Sequence, residues 1–432
     1  MWILYLVVAV TFVPYHPLFM ASFGPFSVAK YCGMVALVVG VVRAMVRPIA
    51  ISGCSWRLKA PFMVYATVLL LSSVFRGTGA NSLEASGLTK SVSIISTCVM
   101  VYLLIDSAER FRGSVRAALC CLTVVSLYAI KQWVAYHNLF ADFRGWGGLS
   151  GDPNYYAAVV VLWSPVAMIT KQPSSLLGWL FRFACGLAIF FAFATAGSRG
   201  GLAGLVASGV FLLITHRQVK HTLGALATLT VLVPMLLIMP NSPLRRLTDP
   251  TISDQSAVTN RTLFWRAATG TFLDNPIIGV GDQRFAEELW ERQKAGRGEH
   301  FAHNTYLEML GRYGLAGGIP FVWLLVAVFS SLGRAARRLG DKELANAARA
   351  MQAGVVGYAL CIVFVTAWWQ MTLWLMIGTA MAMDRILANE ASSGRGGPFG
   401  DSAPASGGRK ALRVAVLDTK RGIPLLARKR NG

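Results

Sequence analysis

Runs of about 20 mostly apolar residues follow one another along most of this chain, and a run of that length is what a helix needs to cross the hydrocarbon of a bilayer. About twelve can be marked, centred in 2–19, 26–46, 60–75, 86–106, 114–136, 153–170, 176–196, 200–215, 221–240, 305–333, 347–367 and 369–388. Short breaks of Gly, Pro, Ser or charged residues separate them. The pattern predicts an all-α, polytopic integral membrane protein of about twelve transmembrane helices. Composition agrees, with 55% hydrophobic residues, 14% charged residues and a mean hydropathy of +0.53.

The formal net charge of +21 has two readings in such a chain, nucleic-acid binding or orientation in a membrane. No basic and aromatic module of the kind that grips nucleic acid is present, so nucleic acid is not an expected partner. The basic residues instead gather in alternate connections. One side receives Arg43, Arg47, Arg57 and Lys59, then Arg110, Arg112 and Arg116, then Lys171, then Arg217 and Lys220, then Arg334, Arg337, Arg338 and Lys342. By the positive-inside rule that side is cytoplasmic, which puts both termini in the cytoplasm and makes the number of spans even. The first run lacks a basic n-region and a small-residue cleavage site, and reads as a retained span. The seven cysteines fall mostly in apolar runs with no C-x-x-C spacing, and read as small core residues.

Residues 1–388 are expected to form the transmembrane domain, and 389–432 a basic, disordered cytoplasmic tail lying near anionic lipid head groups. One connection departs from the short loops. Residues 241–304, between the ninth and tenth spans, make a loop of about 60 residues on the outer side, and a loop this long is expected to be folded and functional. Within it "NRTLFWRAATGTFLDNP" reads as a short helix, capped by Asn260 and ended by Asp274-Asn275-Pro276.

Four polar clusters reach that outer face. Asp152 before Pro153 has the form of a helix cap and first-turn proline, and leaves Asn154 facing the membrane boundary. Arg199, in "TAGSRGGLAGL", lies between two spans with almost no loop, where a charge needs a partner or a water-filled cavity. Arg261 and Arg266 sit on the loop helix. His303, Asn304 and Tyr306 precede the tenth span, with Asn304 and Tyr306 as candidate supports for the imidazole. Glu299, His300 and His303 are close in sequence but have no recognised metal-ligand spacing, so no metal is expected.

Guanidinium holds phosphate in a bidentate way and keeps its charge, while imidazole accepts a proton near neutrality. A lipid-linked pyrophosphate fits that pairing. Arginines would neutralise the leaving pyrophosphate, and the histidine would take the proton of an attacking hydroxyl, with no cofactor.

The ordered pieces "GDPNYYA", "GSRGGL", "NRTLFWRAATGTFLDNPIIGVGDQRF" and "HNTYLEMLGRYGLAGGIPF", covering about residues 145–330, resemble the bacterial O-antigen ligase family and its larger group of O-antigen polymerases and protein O-oligosaccharyltransferases. The resemblance implies an inner-membrane, metal-independent, inverting glycosyltransferase of lipopolysaccharide biosynthesis, with its active site facing the periplasm. The implied donor is a glycan on undecaprenyl pyrophosphate, and the acceptor of a ligase is a sugar of the lipid A core. Carried onto this sequence, Arg199 and Arg261 would bind pyrophosphate, with Arg266 as a helper, and His303 would activate the acceptor hydroxyl. The motifs do not separate ligase from polymerase. A transporter of lipid-linked or anionic solutes would instead place charges or broken helices near mid-span, and the one clear candidate, Lys131, lies near the outer end of the fifth span.

Overall fold

The computed structural model describes residues 1–12, 22–23, 26–46, 53–76, 87–136, 144–145, 152–169, 175–215, 237, 242–248, 255–293 and 301–392. Helices carry the fold: α1 (Trp2–Phe12), α2 (Val28–Val46), α3 (Trp56–Arg76), α4 (Gly87–Leu104), α5 (Ala108–Tyr136), α6 (Pro153–Ile169), α7 (Leu176–Ala196) and α8 (Arg199–Thr215). After them come α9 (Arg245–Thr248), α10 (Gln255–Asp274), α11 (Asp282–Gln293), α12 (Thr305–Arg338), α13 (Lys342–Cys361) and α14 (Met371–Ser392). The extended segments among the described residues are Ser22–Phe23 and Phe26–Ser27, paired antiparallel.

Six of the described helices are long and apolar enough to cross a membrane, the spans being Trp56–Phe75, Gly87–Leu104, Ala108–Tyr136, Leu176–Ala196, Thr305–Arg338 and Met371–Ala391. The chain is therefore an all-α membrane protein, with fewer helices meeting that standard than the twelve apolar runs suggest. Three more apolar helical stretches, Trp2–Phe12, Cys32–Val42 and Arg199–Thr215, are shorter. The run 221–240 lies almost wholly outside the described residues, as does the tail beyond residue 392.

The run expected at 347–367 differs for a physical reason. Its helix, α13, starts earlier at Lys342 with Asp341 as N-cap, and stops at Cys361. It is rich in Ala and Gly because it is packed inside the bundle, where backbones approach closely. A Cβ at Gly204 would come within 2.6 Å of the carbonyl oxygen of Gly357, and Ser208 Oγ donates to the carbonyl of Ala353 at 2.8 Å. Beyond Cys361 the apolar residues continue, but in irregular backbone that serves the site described below.

The loop helix also begins earlier than its apolar pattern suggests. α10 starts at Gln255, so Asn260 lies inside the helix and not at its cap, while Asp274 does end it. α12 is long but interrupted: Gly314 has φ 61° and ψ −160°, and the continuously apolar part of the helix follows this break. The backbone groups freed there are taken by the segment after α10. Leu315 N donates to Pro276 O at 2.8 Å and Ala316 N to Ile277 O at 2.9 Å, while Val280 N and Gly281 N donate to Gly311 O and Arg312 O.

Candidate functional site

The tight connection between α7 and α8 builds one wall of a cleft. α7 ends at Ala196, and Gly197 adopts the left-handed conformation (φ 59°) that such a C-terminus favours. Ser198 then caps α8, its Oγ accepting from Gly201 N at 3.2 Å. Arg199 is therefore the first residue of a helix, and it lines the cleft together with Gly200 of the same first turn.

The last carbonyls of α7 are met by two arginines from distant parts of the chain. Arg144 Nε donates to Ala196 O at 2.9 Å and its Nη2 to Asn154 Oδ1 at 3.2 Å, while Arg246 Nη1 donates to Gly197 O at 3.0 Å. Gly145 fits beside them, its N–H donating to Thr195 O at 2.9 Å. A Cβ on Gly145 would overlap the Thr195 hydroxyl.

The cleft is lined by Arg144, Asn154, Ser198, Arg199, Arg246 and Arg261 on its polar side, and by Cys361, Phe364 and Val365 on its apolar side. Its empty space is about 440 Å³, open solvent at the mouth included. Burial pulls the pKa of Arg144 below the usual arginine range, and the guanidinium of Arg246 adds to this. Asp152 opposes the shift, while Arg261 and Arg199 reinforce it. The arrangement is a concentration of positive charge that a polyanion would relieve.

Two of the expected pyrophosphate ligands, Arg199 and Arg261, thus meet in one cleft with Asn154. Arg266 does not join them. It is exposed, and five residues along a helix of 3.6 residues per turn put it on a different face from Arg261. The residue one turn beyond Arg261 is Trp265, whose ring lies 6.3 Å from that of Phe364 in the cleft wall. Asp152 serves as the cap of α6, its Oδ1 accepting from Asn154 N at 2.5 Å, and so fixes Asn154.

His303 stands next to the cleft and is not among its lining residues. Its ring is 5.9 Å from that of Phe264, three residues beyond Arg261 on α10. Among the described residues it is the one non-glycine with positive φ, at 50°. Such a conformation persists where the surroundings over-determine it, and here they do. Ala302 N donates to Glu308 Oε2 at 3.4 Å, and the Thr366 hydroxyl donates to the same oxygen at 2.5 Å. Asn304 Oδ1 caps α12 by accepting from Tyr306 N and Leu307 N, so its oxygen is committed to the backbone. Thr305 N donates to Ile362 O, and the Thr305 hydroxyl donates to Val365 O at 2.7 Å and accepts from Ala367 N at 2.9 Å. The histidine turn and the Phe364–Val365 wall are therefore one hydrogen-bonded unit. Tyr306 is turned into the scaffold, its hydroxyl donating to Ala359 O at 2.8 Å. Glu299 and His300 lie outside the described residues.

Sequence reasoning missed three parts of this region. Arg144 opens the polar stretch "RGWGGLSGDPNYYA" without being singled out in it, and Arg246 was legible only as an ordinary loop charge. The third part carried a signal: Glu308 and Arg312 are charges spaced i, i+4 in an otherwise apolar segment. Both are buried, with Arg312 Nε donating to Glu308 Oε1 at 2.8 Å, and Arg312 Nη1 donating to Asp282 Oδ1 at 2.9 Å. Two further buried charges, Asp384 and Arg385, sit on α14: half-buried Arg334 of α12 pairs with Asp384 at 3.3 Å, and Arg385 donates to the carbonyls of Tyr102 and Ile105. Lys131 is exposed.

Comparison with known proteins bears on the same region. Residues 183–322 match the family model described as "O-Antigen ligase". The chain is also 36% identical over 83 residues to the exopolysaccharide production protein ExoQ of Rhizobium meliloti (strain 1021), a match covering 17% of this chain and 19% of ExoQ. It thus spans about a fifth of the length of the curated relative it matches. With Arg199, Arg246, Arg261 and His303 all inside the matched residues, the chain contains an O-antigen ligase family domain at residues 183–322.

Proposed function

We propose that the protein is an O-antigen ligase, transferring a glycan from undecaprenyl pyrophosphate to a sugar of the lipid A core. The observation that carries this reading is the convergence of four guanidinium groups and a helix N-terminus on one cleft. Four fixed positive charges match a pyrophosphate that must leave as a polyanion, and guanidinium can clamp it in a bidentate way. Arg199, Arg261, Arg144 and Arg246 hold the pyrophosphate in this scheme. They stabilise the charge that develops as the sugar C1–O bond breaks, which is the work a metal ion does in other transferases. His303 takes the proton of the acceptor hydroxyl as its oxygen bonds to C1 from the face opposite the pyrophosphate, so the reaction inverts the anomeric centre. The products are the glycosylated acceptor and undecaprenyl pyrophosphate.

In the topology proposed here the apolar runs make about twelve crossings of the bacterial inner membrane. The helices α1, α2, α6, α8 and α13 and the run 221–240 join the six spans given above. Both termini are cytoplasmic, the loop 241–304 is periplasmic, and residues 389–432 form a separate basic tail. A site at the first turn of α8 then opens where lipid-linked glycans are presented.

The similarity to a protein of exopolysaccharide production favours a second reading, polymerisation, in which the acceptor is a second lipid-linked repeat unit. Protein O-glycosylation ranks below both. Transport ranks last, since the buried charges within helices are paired with one another or with backbone. The glycolipid profile of cells lacking the protein separates these readings. Full-length polymer on the carrier beside bare lipid A core means ligase, core capped with one repeat unit means polymerase, and unchanged lipopolysaccharide rejects both.

A further inference from the structure

The end of α10 and the turn that follows it expose a set of large aliphatic side chains, with Leu273 at 67%, Ile277 at 70% and Ile278 at 53% of their full accessible area. This turn is fastened to α12 by Leu315 N to Pro276 O and Ala316 N to Ile277 O. From that point α12 exposes Leu315, Ile319, Val322, Trp323 and Val326, one continuous stripe at helical spacing. In a membrane-crossing helix such a stripe faces lipid. The level of the fastening follows from the length of the span. The first charge along α12 after the break is Arg334, and the hydrocarbon core takes about 20 residues of helix, which counted back from Arg334 reaches the break at Gly314. Leu315 and Ala316 therefore stand at the outer edge of the hydrocarbon, and the isoleucines beside them extend the lipid-facing stripe sideways.

We propose that the turn of residues 273–278 is a membrane contact, with Leu273, Ile277 and Ile278 seated among the acyl chains of the outer leaflet. This inference rests on α12 crossing the membrane in the orientation proposed above and is independent of the chemistry assigned to the cleft. Its consequence is positional. α10 carries Arg261 near its start at the cleft and the aliphatic turn at its end, so the bilayer surface sets the level of the helix that presents Arg261. A lipid-borne substrate is then met at a fixed height.

The test places a photoreactive benzophenone amino acid singly at positions 277, 278 and 287 of the full chain in phospholipid nanodiscs, followed by irradiation and mass analysis. Position 287 is an exposed glutamate on α11 and serves as the aqueous reference. The expected result is a mass increase of one phospholipid at 277 and 278, absent at 287. Adducts at 277 and 278 with a second copy of the chain, or with no lipid above the level at 287, overturn the proposal. Thermal stability equal to wild type shows that each labelled protein is folded.

Discussion

Arg312 Nη1 donates to both the backbone oxygen and Oδ1 of Asp282, each at 2.9 Å, tying the first residue of α11 to the buried side of α12. Tyr313 adds its hydroxyl to the same carboxylate oxygen at 2.8 Å, and the guanidinium lies 4.9 Å from the ring of Phe285. Replacing one partner of a buried charge pair leaves the other uncompensated. Arg312→Ala is expected to destabilise the protein by about 3–5 kcal/mol, because it strands both Glu308 and Asp282. Thermal unfolding in detergent reads this, and Arg312→Lys should recover only part of the loss, having no fork to reach both carboxylates.

The break in α12 gives a second prediction. A Cβ on Gly314 would overlap the carbonyl of Ile277, and one on Gly279 would overlap the carbonyl of Arg312; both glycines have positive φ. Gly314→Ala and Gly279→Ala should each push the 276–281 segment away from α12 and open it to proteolysis, with the helical scaffold retained. Limited digestion followed by mass mapping checks this, and cleavage should appear within residues 275–281.

The cleft gives a third. Pyrophosphate added to the purified protein should raise its melting temperature, because a ligand that binds only the folded state stabilises it. Arg199→Ala and Arg261→Ala should remove the effect. Arg266→Ala should keep it, since that side chain is exposed and on another face of α10.

Glu308→Gln gives a fourth. Glu308 Oε2 accepts from Ala302 N and the Thr366 hydroxyl, which hold the turn that forces His303 to φ 50°. As a positioning residue it should lower turnover of glycan transfer by about 10²-fold with little change in donor KM, the signature of misplaced groups and not of lost binding.

How much of this was legible in the sequence follows from the kind of signal each residue leaves. Arg199 was visible because a charge between two apolar runs with no loop to escape into must have a purpose. Arg246 is just as close to the cleft, yet it lies in "LRRL", where a charge is indistinguishable from a solvated one. The end of α13 was misplaced because Val363, Phe364 and Val365 are as apolar as the helix before them. Composition cannot tell buried irregular backbone from helix when its hydrogen bonds go to Thr305, sixty residues away in sequence. Arg266 was grouped with Arg261 by proximity along the chain, and the helical period separates them.

The central claim is that the arginine cleft holds the pyrophosphate of a lipid-linked glycan while His303 takes the acceptor proton. Its most direct test is transfer in a reconstituted assay, from an undecaprenyl-pyrophosphate-linked glycan to lipid A core, by wild-type protein and by His303→Ala and Arg261→Ala. Each variant is first shown to be folded in the membrane. The account predicts that both variants lose transfer and that only His303→Ala keeps the stabilisation by pyrophosphate. Wild-type rates of transfer in both variants would contradict it.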